Sequence, residues 1–345
     1  MTAPPIKLRS PADLLAVIPH LLGFVPNNAV VVVALKDNKI DLTQRMDLPD
    51  SDRAAEVAQA LARHVLREEA EAALLVASEV TPSESLALLD ALGERLDAYQ
   101  VAVRDRIVVC EGRWRSLECS DPSCCPPEGN PVPSATEAAS VLAEFVGVGS
   151  APLADRLALA DQLEPVPAAA DVDELLTGSA AAQASVKCEE ARRRVAVAWA
   201  RVITQPESTL GIADVAVALK SLQDVSTRDG IAAVLIPSGL ELETLPQDTQ
   251  ALVFQCRNAI RVAEEAQVVD MTTGAIRSRL IGLCRHATDE HAAPALTLLA
   301  TFTWWHGDGA LARVALDRAL RCDSSYRLAQ LLTLMLDEGI RPDSP

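Results

Sequence analysis

Aromatic residues are scarce, with Phe, Trp and Tyr together making up 3% of the 345 residues. The apolar share of 49% therefore rests on Ala, Leu and Val. Ala and Leu lose little side-chain freedom in a helix, so this composition favours packed helices over an aromatic-rich β core. Basic residues are also in short supply. The 31 Lys and Arg face 48 Asp and Glu, a net charge of −17. Such a surface repels phosphate backbones and anionic lipid, which argues against nucleic acid and membrane surfaces as partners. The run Arg192, Arg193, Arg194 reads as the solvated side of a helix.

Long hydrophobic runs are missing too. The most apolar stretch, Ala29 to Leu35, is too short to span a bilayer. The start, MTAPPIKLRSPADLL, has no apolar core behind a basic end, so no secretory signal is read there. The expectation is a cytoplasmic protein whose eight cysteines are thiols. The sequence contains no P-loop, no G-x-G-x-x-G, no G-x-S-x-G elbow and no H-E-x-x-H pair. The five histidines, His20, His64, His286, His291 and His306, are scattered and read as ordinary surface or helix-end residues.

What is present falls into two halves. Ser10-Pro-Ala-Asp13 starts a helix that runs to Leu22, with Ser10 as cap. Asn28–Leu35 is a buried strand, Asp37–Lys39 a turn and Ile40–Leu48 the return strand. Helices at 51–70 and 82–99 alternate with strands at 72–77, 101–110 and 113–119. This order predicts an α/β domain over residues 1–133, a mixed sheet with flanking helices. After a Cys/Pro-rich loop, residues 134–345 predict an all-α, repeat-like helical domain. Helices are read at 134–145, 155–163, 180–203, 209–223, 227–236, 248–268, 274–286, 290–306, 309–321 and 324–338, with Glu164–Ala170 as a linker or rigid loop.

Cys119-Ser-Asp-Pro-Ser-Cys-Cys-Pro-Pro-Glu-Gly129 has the highest density of chemically special residues in the chain. Cys119, Cys124 and Cys125 have the spacing C-x4-C-C. Tetrahedral zinc needs four ligands, and a hairpin could add Cys110 as the fourth. Adjacent cysteines tend to diverge, which counts against a shared metal. A reactive thiol would need a depressed pKa, and no histidine is near in sequence. A proline-stiffened structural loop, whose small cysteines fill the seam between the domains, is the reading preferred over both. Zinc is the one cofactor this set suggests. Arg45 and Asp47, two apart on a strand, point to one face and form an ion pair or a candidate polar site for a small-molecule ligand. Trp304, Trp305 and His306 form an unusual cluster, either packed in the core or exposed as an interaction surface.

Several of these stretches resemble one family. Leu8–Leu15, Pro19–Pro26 and Arg45–Pro49 resemble the opening of the actinobacterial family known as domain of unknown function 4192. Gly112–Ser116 followed by the cysteine loop resembles its second signature, and Trp305–Ala310 through Tyr326–Ala329 its closing helices. The resemblance implies a cytoplasmic actinobacterial protein and brings no established activity. Ala29 stands where that family often has a serine. A weaker resemblance, over Leu296–Ser324, is to one tetratricopeptide unit, with Ala300, Ala312, Leu316 and Ala319 at its close-packed positions, so a helix pair of that kind is expected near 290–322.

The leading functional expectation is a non-enzymatic scaffold or regulatory protein that binds a protein partner through its helical domain. The alternative is an enzyme, or a metal or redox sensor, using the Cys119–Cys125 loop together with Arg45 and Asp47 in one cleft.

Overall fold

A computed structural model describes residues 8–147, 150–178, 188–237, 239 and 241–342. It divides into two compact units, Met1–Leu159 and Ala160–Pro345.

The first unit opens with α1 (Pro11–Leu22), where the Ser10 hydroxyl accepts the Asp13 N–H at 3.1 Å and Gly23 ends the helix at φ 79°. β1 (Ala29–Lys36) turns through Asp37 and Asn38, both at positive φ, into β2 (Lys39–Asp47). Asp and Asn tolerate that conformation, which gives the tight hairpin. Then follow α2 (Ala54–Arg67), β3 (Ala72–Glu79), α3 (Leu86–Ala98), β4 (Ala102–Cys110), β5 (Arg113–Ser116), β6 (Asn130–Pro131) and α4 (Ala139–Gly147). The strands make one mixed sheet in the order β2-β1-β3-β4-β5-β6. Only β3 and β4, joined through α3, run parallel; every other neighbouring pair is antiparallel.

β1 is buried on both faces, which is why it reads as an unbroken apolar run. Val30, Val32 and Ala34 pack with Leu61 and Val65 of α2 and Leu89 and Leu92 of α3. Burying each such side chain stabilises the fold by roughly 1.5–3 kcal/mol. Val31 and Val33 are equally buried on the opposite face. Val17 of α1 packs with Val141 and Leu142 of α4, and Leu153 bridges to Phe24. These contacts tie residues beyond Pro133 to α1 and to Phe24, within the first unit, which ends at Leu159.

Glu79 is buried at the end of β3. Its carboxylate accepts from the N–H groups of Ser83 and Ser85 and from the Ser85 hydroxyl, at 2.9, 2.9 and 2.6 Å. It thereby holds the turn that leads into α3.

α5 (Arg156–Asp161) leads into the helical unit: α6 (Ala169–Thr177), α7 (Glu189–Thr204), α8 (Ile212–Ser221), α9 (Val225–Leu235), α10 (Gln247–Ala266), α11 (Thr273–Arg285), α12 (Asp289–Trp305), α13 (Gly309–Cys322) and α14 (Arg327–Asp337). The helix expected at 180–203 begins among residues outside those described. Glu164–Ala170 is not a free linker. Val166 donates its N–H to the Arg285 carbonyl at 2.9 Å, Leu163 is fully buried, and Ala169 starts α6. Helices pack on their neighbours in sequence, α11 on α12, α12 on α13 and α13 on α14. Leu296, Leu299 and Ala300 of α12 and Ala312, Ala315, Leu316 and Ala319 of α13 are fully buried. The alanines let the two helices approach closely. No helix among the described residues is long and apolar enough to cross a membrane.

Candidate functional site

Glu111 and Gly112, both at positive φ, turn β4 into β5. Trp114 then pairs with Val109 on one side and with Asn130 on the other. The residues between β5 and β6 are therefore held at both ends. The Arg113 guanidinium donates to the carbonyls of Glu128 (2.7 Å) and Gly129 (2.6 Å), and the Asn130 amide donates to the Cys124 carbonyl at 2.9 Å. Gly129 sits at φ 76°, where a Cβ would come 3.0 Å from the Trp114 carbonyl oxygen. Glycine is required there on both counts.

Inside this frame Asp121 organises the cysteines. Its side chain accepts from the N–H and hydroxyl of Ser123, at 2.9 and 2.8 Å, which lowers its pKa below the usual carboxylate value. Its carbonyl accepts from the N–H groups of both Cys124 (3.1 Å) and Cys125 (2.7 Å). The chain thus curls in one tight turn, and the two adjacent thiols swing to the same side. The sulfurs of Cys119, Cys124 and Cys125 all lie within 4.8 Å of one another. The expectation that vicinal cysteines diverge is overturned by that turn. Cys124 is exposed and the other two are partly exposed, so the cluster is open to solvent.

Cys119 and Cys124 do not hold their protons alike. The Asp121 N–H donates to the Cys119 sulfur, and the Cys125 and Cys124 thiols add to it, so Cys119 lies below the ordinary thiol value. Cys124 is pushed up to about 11, first by its hydrogen bond with Cys119 and by the charge that Cys119 takes on. Cys110 does not join them. Its thiol is pushed up by burial and by the carboxylates of Glu111, Glu79 and Glu84.

Arg45 and Asp47 pair at 2.5 Å. Arg45 also donates to the Asn27 carbonyl at 3.2 Å and lies 6.0 Å from the centre of the Phe24 ring. Burial pulls its pKa down against the pull of Asp47, and its Nε is enclosed without a hydrogen-bond partner. This pair does not share a cleft with the cysteines. One rung of the sheet runs Arg45, Val31, Val76, Ile107, Ser116. Four strand spacings of about 4.8 Å put roughly 19 Å between Arg45 and Ser116, the residue that leads into the cysteine loop. A joint site built from both is excluded by this topology.

In the helical unit Trp304 and Trp305 end α12 half-buried, and His306 is exposed with its ring 4.6 Å from that of Phe302. The Trp304 indole donates to the Ile340 carbonyl at 3.1 Å. Both tryptophans line a groove of about 900 Å³ with Met335, Ile340 and Arg257. A second gathering of ligand-type side chains joins Asp173 to Glu290 and His291. His291 Nε2 lies 3.3 Å from Asp173, whose same oxygen accepts from the Thr288 hydroxyl at 3.0 Å. Sequence spacing gave no sign of it, because Asp173 comes from α6 and the others from the start of α12.

A family model described as a domain of unknown function matches residues 11–343, nearly the whole chain. The chain belongs to the DUF4192 family. The match spans both units, so the sheet, the cysteine loop and the helices α6 to α14 all fall within the DUF4192 region. No curated protein and no solved structure matches the chain.

Proposed function

We propose that this DUF4192 protein is a regulatory protein that binds a thiophilic ion through Cys119, Cys124 and Cys125 and passes the result to a protein partner through its helical unit. The observation that carries the reading is the convergence of three sulfurs within 4.8 Å in a loop braced by Arg113, Asn130 and Gly129. A preformed set of soft ligands loses little freedom when an ion arrives, and thiolates select ions such as Zn(II) and Cu(I). Free thiols in an open loop suit a reducing compartment, which favours a cytoplasmic location. The output side rests on α12 and α13, a packed helix pair whose sequence resembles a tetratricopeptide unit, and on the groove of Trp304, Trp305 and Met335.

The test is metal and metalloid binding by anaerobically purified protein, followed by cross-linking in native lysate with and without the bound ion. Ion binding that requires the cysteine trio, with a cross-linked partner that changes on loading, supports the reading. Protein that binds no thiophilic ion near neutral pH removes it.

A further inference from the structure

Resting on the reading of the cysteine loop as an ion site, we infer that Cys119, Cys124 and Cys125 form a three-coordinate site for a trivalent metalloid of the arsenite class, in preference to tetrahedral zinc. Three features argue for it.

Coordination number comes first. Only three sulfurs gather, and no fourth thiol, imidazole or carboxylate joins them among the described residues. Cys110, the one residue that could complete a four-sulfur set from the neighbouring strand, sits among Glu79, Glu84 and Glu111 instead. Structural zinc is almost always held by four protein ligands. A trivalent metalloid needs three, because a lone pair fills the remaining direction.

Charge is the second feature. Three thiolates on a trivalent centre make a neutral adduct, whereas three on Zn(II) leave one negative charge. The loop already carries Asp121 and Glu128, on a chain of net charge −17. Extra negative charge there is disfavoured and a neutral adduct is not.

The proton balance is the third. Arsenite, As(OH)3, reacts with three Cys–SH to give As(S–Cys)3 and three waters. Three As–O and three S–H bonds break; three As–S and three O–H bonds form. Nothing is oxidised and no proton is released. Zinc must displace a proton from every sulfur it binds. The metalloid is exempt from that cost.

The experiment is a titration of the reduced full-length protein with arsenite, and separately with Zn(II), followed by native mass spectrometry and by thiolate absorbance at several pH values from neutral to mildly alkaline. One arsenic per chain, added with loss of three waters, is the expected result. Cys119→Ser, Cys124→Ser and Cys125→Ser should each lose the three-sulfur adduct, while Cys110→Ser keeps it. Circular dichroism confirms that each variant is folded. Zinc held more tightly than arsenite, or a Cys110→Ser variant that loses binding, overturns the three-coordinate site but leaves an ion-binding loop. Arsenic that keeps a hydroxide on two sulfurs overturns it as well. Binding of neither ion removes both this inference and the ion-site reading beneath it.

Discussion

Gly129 stands against the Trp114 carbonyl so closely that a Cβ would come 3.0 Å from that oxygen, and its φ of 76° is one that side chains resist. The loop that gathers the cysteines is closed at this point. Gly129→Ala should therefore cost about 1–2 kcal/mol of stability. It should also weaken arsenite binding, because the far end of the loop would no longer be held on β5. Denaturant midpoints and arsenite titrations of the variant read both effects. Unchanged values for the two would show that this close approach does not brace the site.

The thiols should react in a fixed order. Alkylation with mass-spectrometric readout across a pH series should modify Cys119 before Cys124, with the Cys119 midpoint below the ordinary thiol value of 9.0. Cys124 should follow only at about pH 11. In the Cys119→Ser variant the largest cause of that rise is gone, while Cys125 and burial still act, so Cys124 should react at lower pH. If Cys124 keeps its high value in that variant, the sulfurs are not neighbours as described.

Much of this architecture was legible in the chain. The capped α1, the unbroken β1 and the helical second half follow from local rules: a serine followed by proline, a valine run, and alanine-rich periodicity. The ends of the cysteine loop were legible through proline and glycine. The direction of the thiols was not, because it depends on one carbonyl, that of Asp121, taking two N–H groups. Strand order was the other hidden quantity. The sequence allowed Arg45 and the cysteine loop to share one cleft. Placing β2 and β5 on either side of β1, β3 and β4 separates them, and no local pattern encodes that order. Asp173 and His291 were invisible for the same reason, since only the packing of the helices brings them together.

The separation of Arg45 from the cysteines can be tested directly. Arg45 is mostly buried, its Nε has no hydrogen-bond partner, and Asp47 remains largely in water. Replacing a buried charge by an apolar chain of similar length is often neutral, whereas truncation leaves a void. Arg45→Met should change stability by less than about 1 kcal/mol, and Arg45→Ala should cost roughly 2 kcal/mol through lost packing on Phe24. Both should bind arsenite as the unaltered protein does. A loss of ion binding in Arg45→Met, with stability intact, would restore the joint site that the sheet order excludes.

The helical unit should lose stability in alkali through two buried thiols. Cys256 and Cys284 are pushed up to about 12 by burial, from an ordinary value of 9.0. The folded chain thus holds these protons more tightly than the unfolded chain does. The sign follows: their contribution is complete below pH 9, where both states are protonated, and is lost as pH rises toward 12. Three pKa units correspond to an upper bound of about 4 kcal/mol per thiol. Trp199, fully buried in α7 with its indole donating to the Ser221 hydroxyl at 3.0 Å, reports on this unit by fluorescence. Its thermal transition should fall steadily between pH 9 and 12. In a Cys256→Ala, Cys284→Ala double variant the transition should start lower, because small voids are left, and then decline less steeply with pH. Parallel curves for the two proteins would mean that other groups drive the alkaline loss.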